Sequence, residues 1–186
     1  MRIQIKLAIR SHFDKQFELL RKGKKIKALS LFFIDSVAKV RDNDAPDGRG
    51  EYLRIFDEEY QKAIKAYKAQ FEKYKEYFPD YENVQQVREG YFAVDKKNNV
   101  VDVAGWDSDV NDEDVKLNAK SQEDIDRDVE LILEKKDELI SFNEPLTFIF
   151  SHSALREGWD NPNVFTLCTL KRAVRTLPKS KKSLVV

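Results

Sequence analysis

Apolar side chains recur every three or four residues over 3–22, where Ile5, Ala8, Ile9, Phe13, Phe17 and Leu20 share one face. Lys6, Arg10, Lys15, Glu18 and Arg21 fall mostly between them. That period predicts an amphipathic helix with a basic, solvated outer face, and Gly23 supplies its stop. The pattern then changes. Ile26-Lys-Ala-Leu-Ser-Leu-Phe-Phe-Ile-Asp35 is almost continuously apolar and ends in an acid. Such a run suits a central parallel strand covered on both faces, with Asp35 at its carboxyl end or opening the next turn. Asp42-Asn-Asp-Ala-Pro-Asp-Gly-Arg-Gly50 reads as a flexible surface loop. A second helical period follows over 51–78, with Leu53, Phe56, Tyr60, Ala63, Ile64, Tyr67, Phe71, Tyr74 and Tyr77 in one stripe, and Pro79 closes it.

Gly90-Tyr-Phe-Ala-Val-Asp95 reads as a short strand, and 100–103 can pair back on it as a hairpin. Residues 104–120 are acidic and poor in large apolar side chains, which marks a mobile insertion. Ser121-Gln-Glu-Asp124 resembles a capping box and opens a helix to about residue 141, with Ile125, Val129, Ile132, Leu133, Leu139 and Ile140 for its buried side. Leu146-Thr-Phe-Ile-Phe150 is too short for a typical helix and is bounded by Pro145 and Ser151-His152, so it reads as a buried strand. A polar loop over 151–163 separates it from a second apolar run over 164–170. The order helix, strand, long helix, hairpin, helix, strand, loop, strand indicates an α/β fold with a parallel or mixed sheet.

Composition narrows the function classes. With 186 residues, 41% hydrophobic and 35% charged, the chain suits one domain with a heavily charged exterior. Lys+Arg and Asp+Glu are both 33, so no global positive field exists and nucleic-acid binding needs a local patch. Aromatics beside lysines over 51–78 could stack on single-stranded nucleic acid, but their helical spacing favours a core stripe. Cys168, the lone cysteine, lies in an apolar run and reads as a core thiol. His12 and His152 have no metal-ligand spacing, and Asp107-Ser-Asp-Val-Asn-Asp112 does not continue into an EF-hand calcium loop. No apolar run reaches membrane-spanning length and the first residues lack a signal-peptide core, so a reducing cytoplasmic setting is expected.

Four runs occur in a telling order: Ala28-Leu-Ser-Leu-Phe-Phe-Ile-Asp35, Gly90-Tyr-Phe, Ser141-Phe-Asn-Glu-Pro145, and Phe148-Ile-Phe-Ser-His-Ser-Ala-Leu-Arg-Glu-Gly-Trp-Asp-Asn-Pro-Asn-Val-Phe165. Together they resemble the second motor domain of the restriction (Res) subunit of type III restriction enzymes, helicase-like ATPases of superfamily 2 with a separate nuclease domain. The resemblance covers about residues 12–170. It implies a RecA-like three-layer α/β sandwich: a central, mostly parallel sheet, a long inserted helix and a small hairpin. The domain would span 1–170, with the acidic insertion near 104–120 and an atypical basic tail over 171–186. The 29–35 region is similar to helicase motif IV and the 151–163 region to motif V, whose Gly-x-Asp core is matched by Gly158-Trp159-Asp160. The resemblance places Gly158 and Asp160 near a nucleotide cleft, and His152, Ser153 and Arg156 toward nucleic acid or that cleft. The side-chain chemistry agrees. Gly158 permits close backbone approach, Asp160 can accept hydrogen bonds from ribose or an arginine, and Arg156 can contact phosphate. Trp159 is expected to pack beneath the loop.

The sequence also departs from that family. It has no Gly-x-x-x-x-Gly-Lys-Ser/Thr phosphate loop, no Asp-Glu-x-His magnesium motif and no Gln-x-x-Gly-Arg-type helix after Leu170. Ser180-Lys-Lys-Ser-Leu-Val-Val186 can be encoded by codons that spell a Gln-x-x-x-Arg-Gly run in another frame. A frameshift after about Leu170 and a true basic tail both remain open. The expectation is therefore a fragment of the ATP-dependent DNA translocase of a type III restriction endonuclease. It would contribute one wall of the ATP and DNA cleft, carry no catalytic residue of its own and be inactive alone. ATP and Mg²⁺ would serve the intact enzyme, with neither held tightly here. Expected partners are double-stranded DNA, a first motor domain, a nuclease domain and the modification (Mod) methyltransferase subunit, with no membrane. The alternatives are a non-catalytic DNA-binding module using 3–22, 51–78 and 171–186, or an inactive remnant.

Overall fold

The computed structural model describes residues 1–42, 44–78, 80–92, 131–132, 134–152 and 160–171. Helix α1 (Arg2–Arg21) buries the expected Ile5, Ala8, Ile9, Phe13, Phe17 and Leu20, together with His12 and Gln16. Its end is a Schellman closure: the Gly23 N–H bonds the Leu20 carbonyl at 3.0 Å and the Lys24 N–H bonds the Leu19 carbonyl at 2.9 Å. Gly23 takes φ +69° there, a conformation glycine enters without penalty.

Strand β1 (Leu29–Ile34) begins three residues later than the apolar run suggests. Gln16 takes over the approach. Its Nε2 donates to the Ile26 carbonyl at 3.0 Å and its Oε1 accepts from the Ala28 N–H at 2.7 Å, so a side chain stands in for a neighbouring strand. The expected long helix is helical in pieces: α2 (Glu51–Ala66), α3 (Lys68–Lys73) and a 3-10 turn (Lys75–Tyr77). Tyr67 leaves helical geometry at φ −100°, ψ 13°. The bend closes Tyr67, Phe71 and Tyr74 around Phe17, with ring centroids 6.0, 5.1 and 6.1 Å away. The stripe therefore faces the core and is not a stacking platform. The 42–50 loop is held as well. Arg41 and Arg49 form an antiparallel bridge, and Gly50 donates to the Val40 carbonyl at 2.8 Å.

Strands β2 (Arg88–Phe92), β3 (Phe148–His152) and β4 (Val164–Leu170) complete a four-stranded sheet in the order β2-β3-β1-β4, every pairing parallel. Phe32 lies between Phe150 and Cys168 in register. One face, with Phe32, Ile34, Phe148, Phe150 and Leu170, packs beneath α1 and α2. The other, with Leu29, Leu31 and Ile149, packs against Leu131 and Ile132 and against Leu139 of the short helix α4 (Lys136–Leu139). The chain leaves helical geometry at 134–135, so the helix expected to run to about residue 141 is not continuous. This gives three layers, helices covering both faces of a parallel sheet, consistent with a RecA-like arrangement. Cys168 is a half-buried thiol whose pKa is pushed up by desolvation.

The expected hairpin partner at 100–103, the acidic insertion at 104–120, the Asp107–Asp112 run, the capping box at 121–124 and the tail beyond Lys171 lie outside the described residues. Among the described residues no helix is long and apolar enough to cross a membrane.

Candidate functional site

Parallel strands gather their carboxyl ends at one edge, where open α/β sheets place ligands. His152, the last residue of β3, lies at that edge in register with Phe92, and it is 4% exposed. Asp35, directly after β1, accepts a hydrogen bond from the Tyr52 hydroxyl at 2.9 Å. That contact ties the edge to α2. Near the end of β2 the Arg41 guanidinium donates to Glu89 at 2.9 Å and to the Gly90 carbonyl at 3.3 Å. The described part of this edge thus brings together a carboxylate, an imidazole and a cation engaged with its own carboxylate. Among the described residues no group of three His, Cys, Asp or Glu side chains is placed to share a metal ion.

The other end of the β3–β4 connection lies elsewhere. Asn163 accepts from the Leu29 N–H at 2.7 Å and its Nδ2 donates to the Lys27 carbonyl at 2.9 Å, so the chain has returned to the amino end of β1. Asn161 supports that return by accepting the Asn163 N–H at 2.9 Å. Asp160, whose side chain is 96% exposed, meets Lys136 of α4 through its carbonyl at 3.1 Å and its carboxylate at 3.3 Å. His152 and Asp160 therefore stand at opposite ends of the strands. The reason is topological: two parallel strands need a connection that carries the chain from one end of the sheet back to the other. Ser153, Arg156 and Gly158 lie outside the described residues. At the two flanks, Ser151 Oγ and Asn161 Nδ2 are buried with no hydrogen-bond partner among the described residues.

Sequence reasoning missed a buried polar group at the amino end. Lys27 is 3% exposed. Its Nζ donates to the carbonyls of Leu139 at 2.7 Å and Glu144 at 2.6 Å. Desolvation brings its pKa down to about 7 against the opposing pull of Glu144. His12 lies close by, its Nδ1 2.9 Å from Ser30 Oγ and its ring 4.5 Å from that of Phe148. Burial, with a smaller contribution from Lys27, lowers its pKa to about 3, so it is neutral at physiological pH. His12, Lys27, Tyr77, Phe142 and Phe148 border a cavity of about 40 Å³, room for roughly three waters at ~10–15 Å³ each. The one signal available beforehand was a lysine interrupting an otherwise apolar run.

Three relatives are similar to most of the chain. It is 33% identical over 177 residues to the Res subunit of the type III restriction-modification enzyme EcoP15I of Escherichia coli, covering 92% of this chain and 16% of that protein. The EcoPI Res subunit of Escherichia phage P1 matches with the same identity and shares. The StyLTI Res subunit of Salmonella typhimurium is 31% identical over 186 residues, covering 88% of this chain and 16% of that protein. No protein-family model matches the chain. No solved structure matches it. The chain is thus related to type III Res subunits over most of its length, and it spans about one sixth of theirs.

Proposed function

We propose that this chain is a piece of the second motor domain of a type III restriction endonuclease, contributing one wall of a cleft for ATP and double-stranded DNA. The observation that carries this reading is the relation to three Res subunits over about nine-tenths of the chain. The parallel sheet and the Gly158-Trp-Asp160 run between β3 and β4 support it. In this proposal Gly158 and Asp160 approach the nucleotide and Ser153 and Arg156 face DNA or the cleft, while His152, buried at the end of β3 away from Asp160, supports the start of that loop and does not contact DNA. The phosphate-holding lysine, the Mg²⁺ ligands and the arginine that offsets transition-state charge come from other parts of the enzyme. Hydrolysis needs both walls, because its catalysis is positioning plus electrostatic stabilisation of the transferred phosphoryl group. The Mod subunit and a nuclease domain complete the assembly. The burial of the 51–78 stripe weighs against the rival reading of that segment as a stacking surface for single strands.

The test is a segment exchange. Residues 1–170 replace the matching stretch of the EcoP15I Res subunit, and DNA-stimulated ATP hydrolysis is measured with its Mod partner present. Retained hydrolysis that Asp160→Ala lowers by roughly tenfold or more supports the reading. Steady-state ATP hydrolysis by the isolated 186-residue chain would contradict it.

A further inference from the structure

Lys27 is the point at which four parts of the chain meet. Its ammonium nitrogen reaches the last turn of α4 through the Leu139 carbonyl and the turn before β3 through the Glu144 carbonyl. Its own carbonyl holds Asn163, at the returning end of the β3–β4 loop. The next residue, Ala28, is fixed to α1 by Gln16. The loop is tied a second time, because Lys136 on α4 grips Asp160. Lys27 is what fastens the end of α4 and the turn before β3 to β1.

The chemistry of the contact depends on protonation. A charged lysine has three N–H donors, whereas the neutral amine has two and a lone pair. Two carbonyls match the two donors of the neutral amine, and the third N–H of the charged form is left to solvent in the adjoining cavity. The surroundings are mostly aromatic. The titratable groups that face Lys27 or share its cavity are His12 on α1, Tyr60 on α2, Tyr77 in the 3-10 turn, Asp80 and Tyr81 before β2, and Glu144 before β3. Glu144 favours the charged form, while burial opposes it more strongly. Opening the contact hydrates the ammonium, so protonation favours the opened state.

We propose that Lys27 is a protonation-sensitive latch: the neutral amine holds the end of α4 and the turn before β3 against the start of β1, and protonation loosens them. The latch does not depend on the motor reading.

Hydrogen–deuterium exchange on the full chain tests it, with intrinsic rates corrected for pH and α1 as internal reference. Protection over 134–147 should rise relative to α1 by roughly tenfold per pH unit above neutrality. Lys27→Arg, permanently charged, should stay at the low-pH level at every pH. Lys27→Met, with both carbonyls unpaired, should show low protection without the pH response. A wild-type response that is flat, or that Lys27→Met reproduces, overturns the proposal. Where the variants do not fold, the Lys27 Cε–Nζ correlation in the wild-type NMR spectrum decides. A midpoint near 7 supports the latch, and one above about 9, close to an ordinary lysine, overturns it.

Discussion

Replacing Asp57 with leucine should cost this fold several times more than breaking any of its exposed ion pairs. Arg88 grips Asp57 with two parallel bonds, Nε to Oδ1 at 2.6 Å and Nη2 to Oδ2 at 2.8 Å. The two side chains are 8% and 12% exposed. Arg49 adds a third bond to Oδ2 at 2.9 Å from the surface side. The pair joins α2 to β2, the strand at one end of the sheet order. An exposed pair such as Lys22 with Glu18 contributes little, because water solvates both partners once they separate. Arg88 has no such escape. With Asp57 gone, a buried guanidinium is left uncompensated, and the expected loss is about 3–5 kcal/mol. Replacing both residues, Asp57→Leu with Arg88→Met, removes the stranded charge and should recover most of that loss. Urea unfolding followed by circular dichroism measures all three proteins. Repeating it at about 0.1 and 1 M salt should change the difference little, since a buried pair is weakly screened. The reasoning fails if the single substitution costs under about 1 kcal/mol, or if the double variant is no more stable than the single.

Three shorter predictions follow from other contacts. A Cβ on Gly50 would stand 2.3 Å from the Lys39 carbonyl carbon and 2.4 Å from the Ala38 oxygen, so Gly50→Ala must displace backbone. It should lower stability by about 1–3 kcal/mol in urea, and unchanged stability would refute that close packing. Gln16→Leu keeps the bulk but leaves the Ala28 N–H and the Ile26 carbonyl unpaired. The expected cost is about 2–4 kcal/mol, and faster amide exchange at Ala28 should accompany it. His12 is neutral in the fold, with a pKa of about 3 against about 6.5 when unfolded. Below about pH 6.5 the unfolded chain therefore binds the proton first. The stability this group confers is complete above that pH and falls by about 1.4 kcal/mol per pH unit as pH drops toward 3. His12→Gln should lack that component, so the stability gap between the two proteins must change with pH between 6 and 4; a constant gap would refute it.

Much of the fold was legible because burial imposes a local period. The stripe from Ile5 to Leu20 announced α1, and the apolar runs ending at Ile34 and Phe150 announced buried strands. The aromatic stripe over 51–78 was correctly read as core, yet not its bend at Tyr67. That bend depends on Phe17, a residue on another helix. The approach to β1 was over-extended because Ile26 and Ala28 look like strand residues, while their actual partner is the side chain of Gln16. At the candidate site, the 151–163 stretch looked like one cluster. His152 and Asp160 are neighbours in sequence, but a parallel crossover carries them to opposite ends of the sheet.

By itself, then, the sequence determined α1, the buried strands β1 and β3, the buried faces of 3–22 and 51–78, and the relation to Res subunits, since each depends on residues close together or on their linear order. Tertiary structure alone decided the partners of the buried polar groups. Lys27 meets carbonyls 112 and 117 residues away, and Arg88 meets a carboxylate 31 residues away. No periodicity encodes such pairings. They follow from which surfaces come together once the sheet is covered on both faces, where a buried charge or carbonyl must find whatever complement the packing brings within reach.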